Sequence, residues 1–133
     1  MLSFLWPDQT ERIERLRAAL DFAARVPIVL DTMDADDWLE QRLRGGPSSG
    51  VATVVFHSIV WQYLPNTTKE KVRAVLAAAG AEASPTNPLL WLRMEPAGPL
   101  LADLRLTTWP GGAEEVVAEV GYHGAGIRVL VNG

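Results

Sequence analysis

The stretch "VVFHSIVWQYLP", residues 54–65, sets a histidine and a serine at the end of an apolar run. Histidine can both take and give a proton near neutral pH, so His57 is the first candidate for chemistry. A second group closes the apolar run "LLWLRMEP", residues 89–96, where Arg93 and Glu95 stand two apart. A third is "DTMDADD", residues 31–37, with four carboxylates in seven positions.

Each group has two readings. His57 is either a base or substrate contact, or a partly buried residue that satisfies backbone groups at a strand end. Ser58 is its neighbour in sequence. Adjacent strand residues point to opposite faces, so spacing alone does not make them a nucleophile and its base. Arg93 and Glu95 either border the same cleft as His57, with Glu95 as its acid partner, or form an ion pair at a sheet edge. The acidic run offers several oxygens, as a hard cation requires. The first turn of a helix also favours Asp34, Asp36 and Asp37 there through its dipole, and no metal is expected. Five tryptophans invite the question of a ring-binding site. Trp38 and Trp91 are assigned to the core, while Trp61 and Tyr63, just past His57, are candidates for a cleft wall. His123 lies in a glycine-rich turn and is read as solvated.

The elements that must position these residues are legible from periodicity. In "PDQTERIERLRAALDFAAR" the residues Ile13, Leu16, Leu20 and Ala23 form one apolar helical face, and Asp8 with Glu11 has capping-box spacing. "PIVLDTM" reads as a short buried strand and "DADDWLEQRL" as a short helix. "VATVVFHS" is a nearly continuous apolar run, as expected of a strand covered on both faces. "TTKEKVRAVLAAAG" reads as a helix with a capping box at Thr67 and Glu70 and a stop at Gly80. After "PLLWLRMEP", alternating patterns separated by "PGG" and "HGAG" read as an antiparallel meander. Expected strands are 28–31, 52–57, 89–95, 103–109, 115–121 and 127–132, the first three parallel. Expected helices are 9–25, 35–43 and 68–79.

Composition bounds the function. The 133 residues fit one α/β domain, 1–133, with 48% apolar and 21% charged residues. Net charge is −4, and the ten arginines are scattered, which argues against a nucleic-acid partner. Without cysteine, thiol nucleophiles and zinc thiolate sites are excluded. No apolar run approaches the roughly 18 residues of a membrane span, so no membrane partner and a cytoplasmic location are expected.

The order of elements is similar to the second half of a class I S-adenosylmethionine-dependent methyltransferase. The phrases "LWPDQTERIERLRAAL", "VVFHSIVWQYLP", "LWLRMEP" and "WPGG" together resemble the C-terminal part of the bacterial domain-of-unknown-function family 2332, over Leu5 to about Val131. That family looks like a divergent methyltransferase. The resemblance implies a three-layer Rossmann-like mixed sheet that lacks the first two strands of the full fold. It makes Asp34 a cofactor-side acid and places the end of strand 52–57 beside the cleft, with Ser58, Trp61, Tyr63 and Arg93 as ligand contacts. A cofactor loop must open a helix so that its N–H groups face the ligand, and no glycine cluster here does so. No cofactor is therefore expected in this chain, and S-adenosylmethionine only if a missing half is supplied. The expected function is a methyltransferase-like domain that does not catalyse alone. The alternatives are an enzyme completed by an upstream segment or partner chain, a small hydrolase using His57 with an acid, and an association module. Loss of two strands would leave a sheet edge or face uncovered, an invitation to pair with a second copy.

Overall fold

The computed structural model describes residues 6–26, 29–122 and 126–130. The chain divides into two compact units, Met1–Thr32 and Met33–Gly133. The first carries helix α1, Thr10–Ala23. The capping box expected from Asp8 and Glu11 does not form. Gln9 is the N-cap and makes no side-chain cap bond; its Oε1 instead accepts a hydrogen bond from Arg12 at 2.8 Å. Ile13, Leu16 and Ala23 are half-buried, but Leu20 is exposed. The strand expected at 28–31 is also corrected. Residue 28 lies outside the described residues, and Val29, Leu30 and Asp31 carry no strand. Val29 and Leu30 are 81% and 86% exposed. A short β-branched run becomes a strand only where a neighbour and a packing surface meet it.

The second unit is a five-stranded mixed sheet with two helices. In chain order it contains α2 (Ala35–Arg42), β1 (Thr53–Ser58), a 3-10 turn (Trp61–Tyr63), α3 (Asn66–Ala81), β2 (Leu89–Pro96), β3 (Leu101–Trp109), β4 (Ala113–Gly121) and β5 (Ile127–Val129). The strands lie in sequence order, β1 parallel to β2 and each later pair antiparallel. Parallel neighbours need a crossover, and α3 supplies it. The expected parallel pairing and antiparallel meander are thus observed. The last strand is shorter than expected, because Leu130 has left it and residues 131–133 are outside the described residues.

Period two decides which side chains share a face. Thr53, Val55 and His57 of β1 are in register with Leu89, Trp91 and Arg93 of β2, so all six share one face. The core forms there: Leu39 and Leu43 near α2, Val72, Leu76 and Ala79 of α3, and Leu89 and Trp91 of β2. Leu76 and Leu89 are fully buried, each contributing about 1.5–3 kcal/mol of transfer free energy. On the opposite face of β1, Val54 and Phe56 are 55% and 59% exposed. The expectation that this strand is covered on both faces is therefore corrected; a continuous apolar run does not by itself distinguish one covered face from two. Trp38 is corrected as well. It is exposed, and the Arg42 guanidinium lies over its ring at 5.3 Å.

Helix α3 begins earlier than expected, with Pro65 as N-cap and no side-chain cap bond, so Thr67 lies inside the helix rather than capping it. It also runs past Gly80, which is buried. Gly80 is there for close approach rather than as a stop. A Cβ placed on it would lie 2.4 Å from Cδ1 of Trp109. Alanine normally stabilises a helix interior relative to glycine by about 1 kcal/mol. Here that gain is outweighed by overpacking of about 1–3 kcal/mol. Gly80→Ala is therefore expected to lower the urea midpoint, and a rise in that midpoint would refute the α3–Trp109 contact.

Candidate functional site

Parallel pairing carries the carboxyl ends of β1 and β2 to one edge of the sheet, and the first two candidate groups meet there. His57 is the penultimate residue of β1, and Glu95 that of β2. Nδ1 of His57 lies 2.8 Å from Oε1 of Glu95, and both side chains are largely buried. The same carboxylate oxygen accepts hydrogen bonds from the backbone N–H groups of Trp61 at 3.1 Å and Val60 at 3.3 Å. An oxygen that already accepts two N–H groups leaves the shared proton on the imidazole, so Nδ1 donates. A neutral ring that donates at Nδ1 keeps a lone pair at Nε2.

The turn that returns those two N–H groups depends on Ile59, whose φ is 54°. A β-branched residue in the left-handed region is strained by about 1–3 kcal/mol and persists where its surroundings hold it. Here the Ile59 N–H donates to the Met94 carbonyl at 2.8 Å and thereby clamps the kink onto β2. The 3-10 turn then lays Trp61 against His57, ring centroids 5.4 Å apart and 15° from parallel. Trp91 meets His57 at 5.9 Å and Trp61 edge-on at 5.4 Å.

Two arginines extend the aromatic group. Arg73 of α3 lies over the Trp61 ring at 5.0 Å, and Arg93 lies over Trp91 at 4.1 Å. Arg93 does not form the expected alternative ion pair with Glu95. It pairs with Glu114 of β4, which also accepts from Arg105 at 3.2 Å. Burial lowers the His57 pKa from its usual 6.5; the hydrogen bond and charge of Glu95 oppose that effect, and the charge of Arg93 adds to it. Burial also lowers that of Arg93, against the pull of Glu114.

The remaining candidates lie elsewhere. Ser58 is exposed, on the other face of β1 from His57. Tyr63 is 75% exposed. Asp34 is the exposed N-cap residue of α2, with no side-chain cap bond, and shares no hydrogen bond or ion pair with the His57–Glu95 group. The acidic run is met by a lysine: Lys71 Nζ reaches Asp36, Asp37 and Glu40. Among the described residues no group of three or more His, Cys, Asp or Glu is placed to hold a metal ion. No helix among them is long and apolar enough to cross a membrane. His123 lies outside the described residues.

The model of DUF2332, described as uncharacterized proteins conserved in bacteria, matches residues 1–128. The chain belongs to this family. No curated protein and no solved structure matches it.

In this DUF2332 chain, sequence reasoning missed Ile59, Arg73 and Glu114. Ile59 carries no signal, since isoleucine is the wrong residue for a left-handed turn. Arg73 could have been found, because it is the one arginine of α3, the crossover helix that must pack on β1 and β2.

The lowered His57 pKa fixes a sign. Between the folded value and 6.5 the unfolded chain binds more protons than the folded one, so stability rises with pH there. The contribution is complete above 6.5 and is lost as pH falls below it. His57→Gln is expected to flatten that part of the stability–pH curve. Glu95→Gln removes the charge that opposes burial and is expected to lower the His57 pKa further, as read by NMR titration. A higher value in Glu95→Gln would exclude the hydrogen bond described above.

Proposed function

We propose that this chain is a methyltransferase-like α/β domain that presents a substrate-side site and does not catalyse alone. The observation that carries the reading is the hydrogen bond between His57 Nδ1 and Glu95 Oε1 across the ends of two parallel strands. Open α/β sheets bind ligands beyond the carboxyl ends of their strands. Nε2 of His57 is buried and has no hydrogen-bond partner among the described residues, so the neutral imidazole keeps a lone pair that would accept a proton from a ligand hydroxyl or amine reaching it. In this reading His57 is the base and Glu95 its orienting partner, with Trp61 and Arg93 on the flank. Ser58, Tyr63 and Asp34 act only through a ligand that reaches past the strand ends.

This reading expects no S-adenosylmethionine site in the chain. The positive-φ glycines are Gly45, Gly46, Gly50, Gly111, Gly112 and Gly126, and none opens a helix. Gly46 is needed for packing, since a Cβ there would lie 2.6 Å from Glu82 Cβ. No step is therefore assigned to that cofactor. Calorimetric titration of the chain with S-adenosylmethionine is expected to give no binding in the low micromolar range. A saturating isotherm in that range would overturn the reading.

A second reading, self-association, is favoured by β1. Among the described residues it has a hydrogen-bonded neighbour on one side only, and its exposed face carries Val54 and Phe56. Bare edges and apolar patches pair with other chains. In this reading the chain sediments as a dimer and Phe56→Lys returns it to a monomer. A monomer at high micromolar concentration would exclude it.

A further inference from the structure

A cleft of about 370 Å³ lies on the α3-facing side of β2 and β3. Its lining includes Arg73, Trp91, Arg93, Thr107, Trp109 and Glu114. Trp91 and Thr107 are directly opposite in the antiparallel register, and Arg93 is two residues along from Trp91. Trp91 and Thr107 are 5% and 6% exposed. Trp91 Nε1, Arg93 Nε and Thr107 Oγ1 are all buried, and none has a hydrogen-bond partner among the described residues. Buried donors are nearly always satisfied, so three on adjacent positions of one cleft call for an acceptor.

Among the described residues none of the three is given one. Glu114 is engaged by Arg93 through a terminal nitrogen and by Arg105. Arg73 has no carboxylate partner among the described residues and rests on Trp61. Counting Arg73, Arg93 and Glu114, the lining carries a net charge of +1. A ligand that met these donors would be rich in acceptors, and the lining favours a single negative charge. A carboxylate has two oxygens and about four lone-pair sites, enough for an indole N–H, a guanidinium N–H and a hydroxyl. The indoles of Trp91 and Trp109 and the side chain of Leu76 give the cleft apolar walls. Its volume is at the small end of ligand sites.

We infer that this cleft binds a small monocarboxylate with an apolar body, held by Trp91, Arg93 and Thr107. The site lies beside the His57–Glu95 group and does not depend on the methyltransferase-like reading.

The test is an NMR titration of the ¹⁵N-labelled full chain with sodium benzoate at constant ionic strength. The Trp91 indole N–H resonance is expected to move saturably. In Thr107→Val, an isosteric change that removes one donor, the dissociation constant should rise about fivefold to tenfold, the effect of one hydrogen bond. Without benzoate, Thr107→Val should melt no lower than the parent, because a hydroxyl without a partner is lost. Arg73→Gln, at an exposed position, should also weaken binding and serves as the readout if the core variant does not fold. No saturable movement of the Trp91 resonance overturns the site. Undiminished affinity in both variants does the same. Inorganic phosphate binding more tightly than benzoate overturns the assignment to a carboxylate.

Discussion

A carboxylate buried at the end of β2 must be given donors, and the chain leaving β1 is shaped to give them. Glu95 Oε1 takes the His57 imidazole and the N–H groups of Val60 and Trp61. An unpaired buried carboxylate would cost several kcal/mol, more than the strain of one left-handed isoleucine. The kink at Ile59 is thus held by the acid it serves. With the kink come the 3-10 turn, the placement of Trp61 over His57, and the start of α3 three residues after the turn. The crossover that makes β1 and β2 parallel therefore begins from a turn fixed by the strand it must reach.

The second organising device is an irregularity in β4. The register runs Leu104 with Ala118 and then Arg105 with Val116, so Val117 is extra. One inserted residue switches the faces of everything beyond it. Glu114, which an unbroken alternation would turn away from α3, faces Arg93 and Arg105 instead. Those two arginines are opposite one another in the β2–β3 register, a repulsive pair without an anion between them. The bulge supplies that anion. It also explains why Val116, Ala118 and Val120, which alternate neatly in sequence, do not share one face.

What was legible follows from these two devices. The helices α2 and α3, the parallel pair, and the meeting of His57 with Glu95 at one edge all follow from period and connectivity, which are written in the residues. Ile59, the bulge at Val117 and the role of Gly80 are not, because each is set by a tertiary partner: Met94, Arg105 and Trp109. Val29 and Leu30 failed for the same reason in reverse. Their apolar run promised a strand, but the promise needs a packing surface, and Val29 and Leu30 are exposed. Trp38 and Trp91 look alike in sequence; Trp91 sits on the inward parity of β2, whereas Trp38 lies on an exposed position of α2.

The candidate site lies where it does because the inward face of β2 changes chemistry along its length. Leu89 is fully buried, Trp91 nearly so, and Arg93 and Glu95 follow at two-residue steps. Six residues of strand span about 20 Å, so core and charged edge are separated by the length of one element. β1 repeats the gradient from Thr53 and Val55 to His57, and β3 runs it backwards from Trp109 through Thr107 to Arg105 and Asp103. Parallel and antiparallel pairing together align all three polar ends at one margin of the sheet. Trp91 stands at the boundary, touching His57 on one side and the cleft of Arg93 and Thr107 on the other. A ligand that moved this indole would act on the imidazole beside it. Coupling between the two sites therefore needs no more than one shared side chain in two positions.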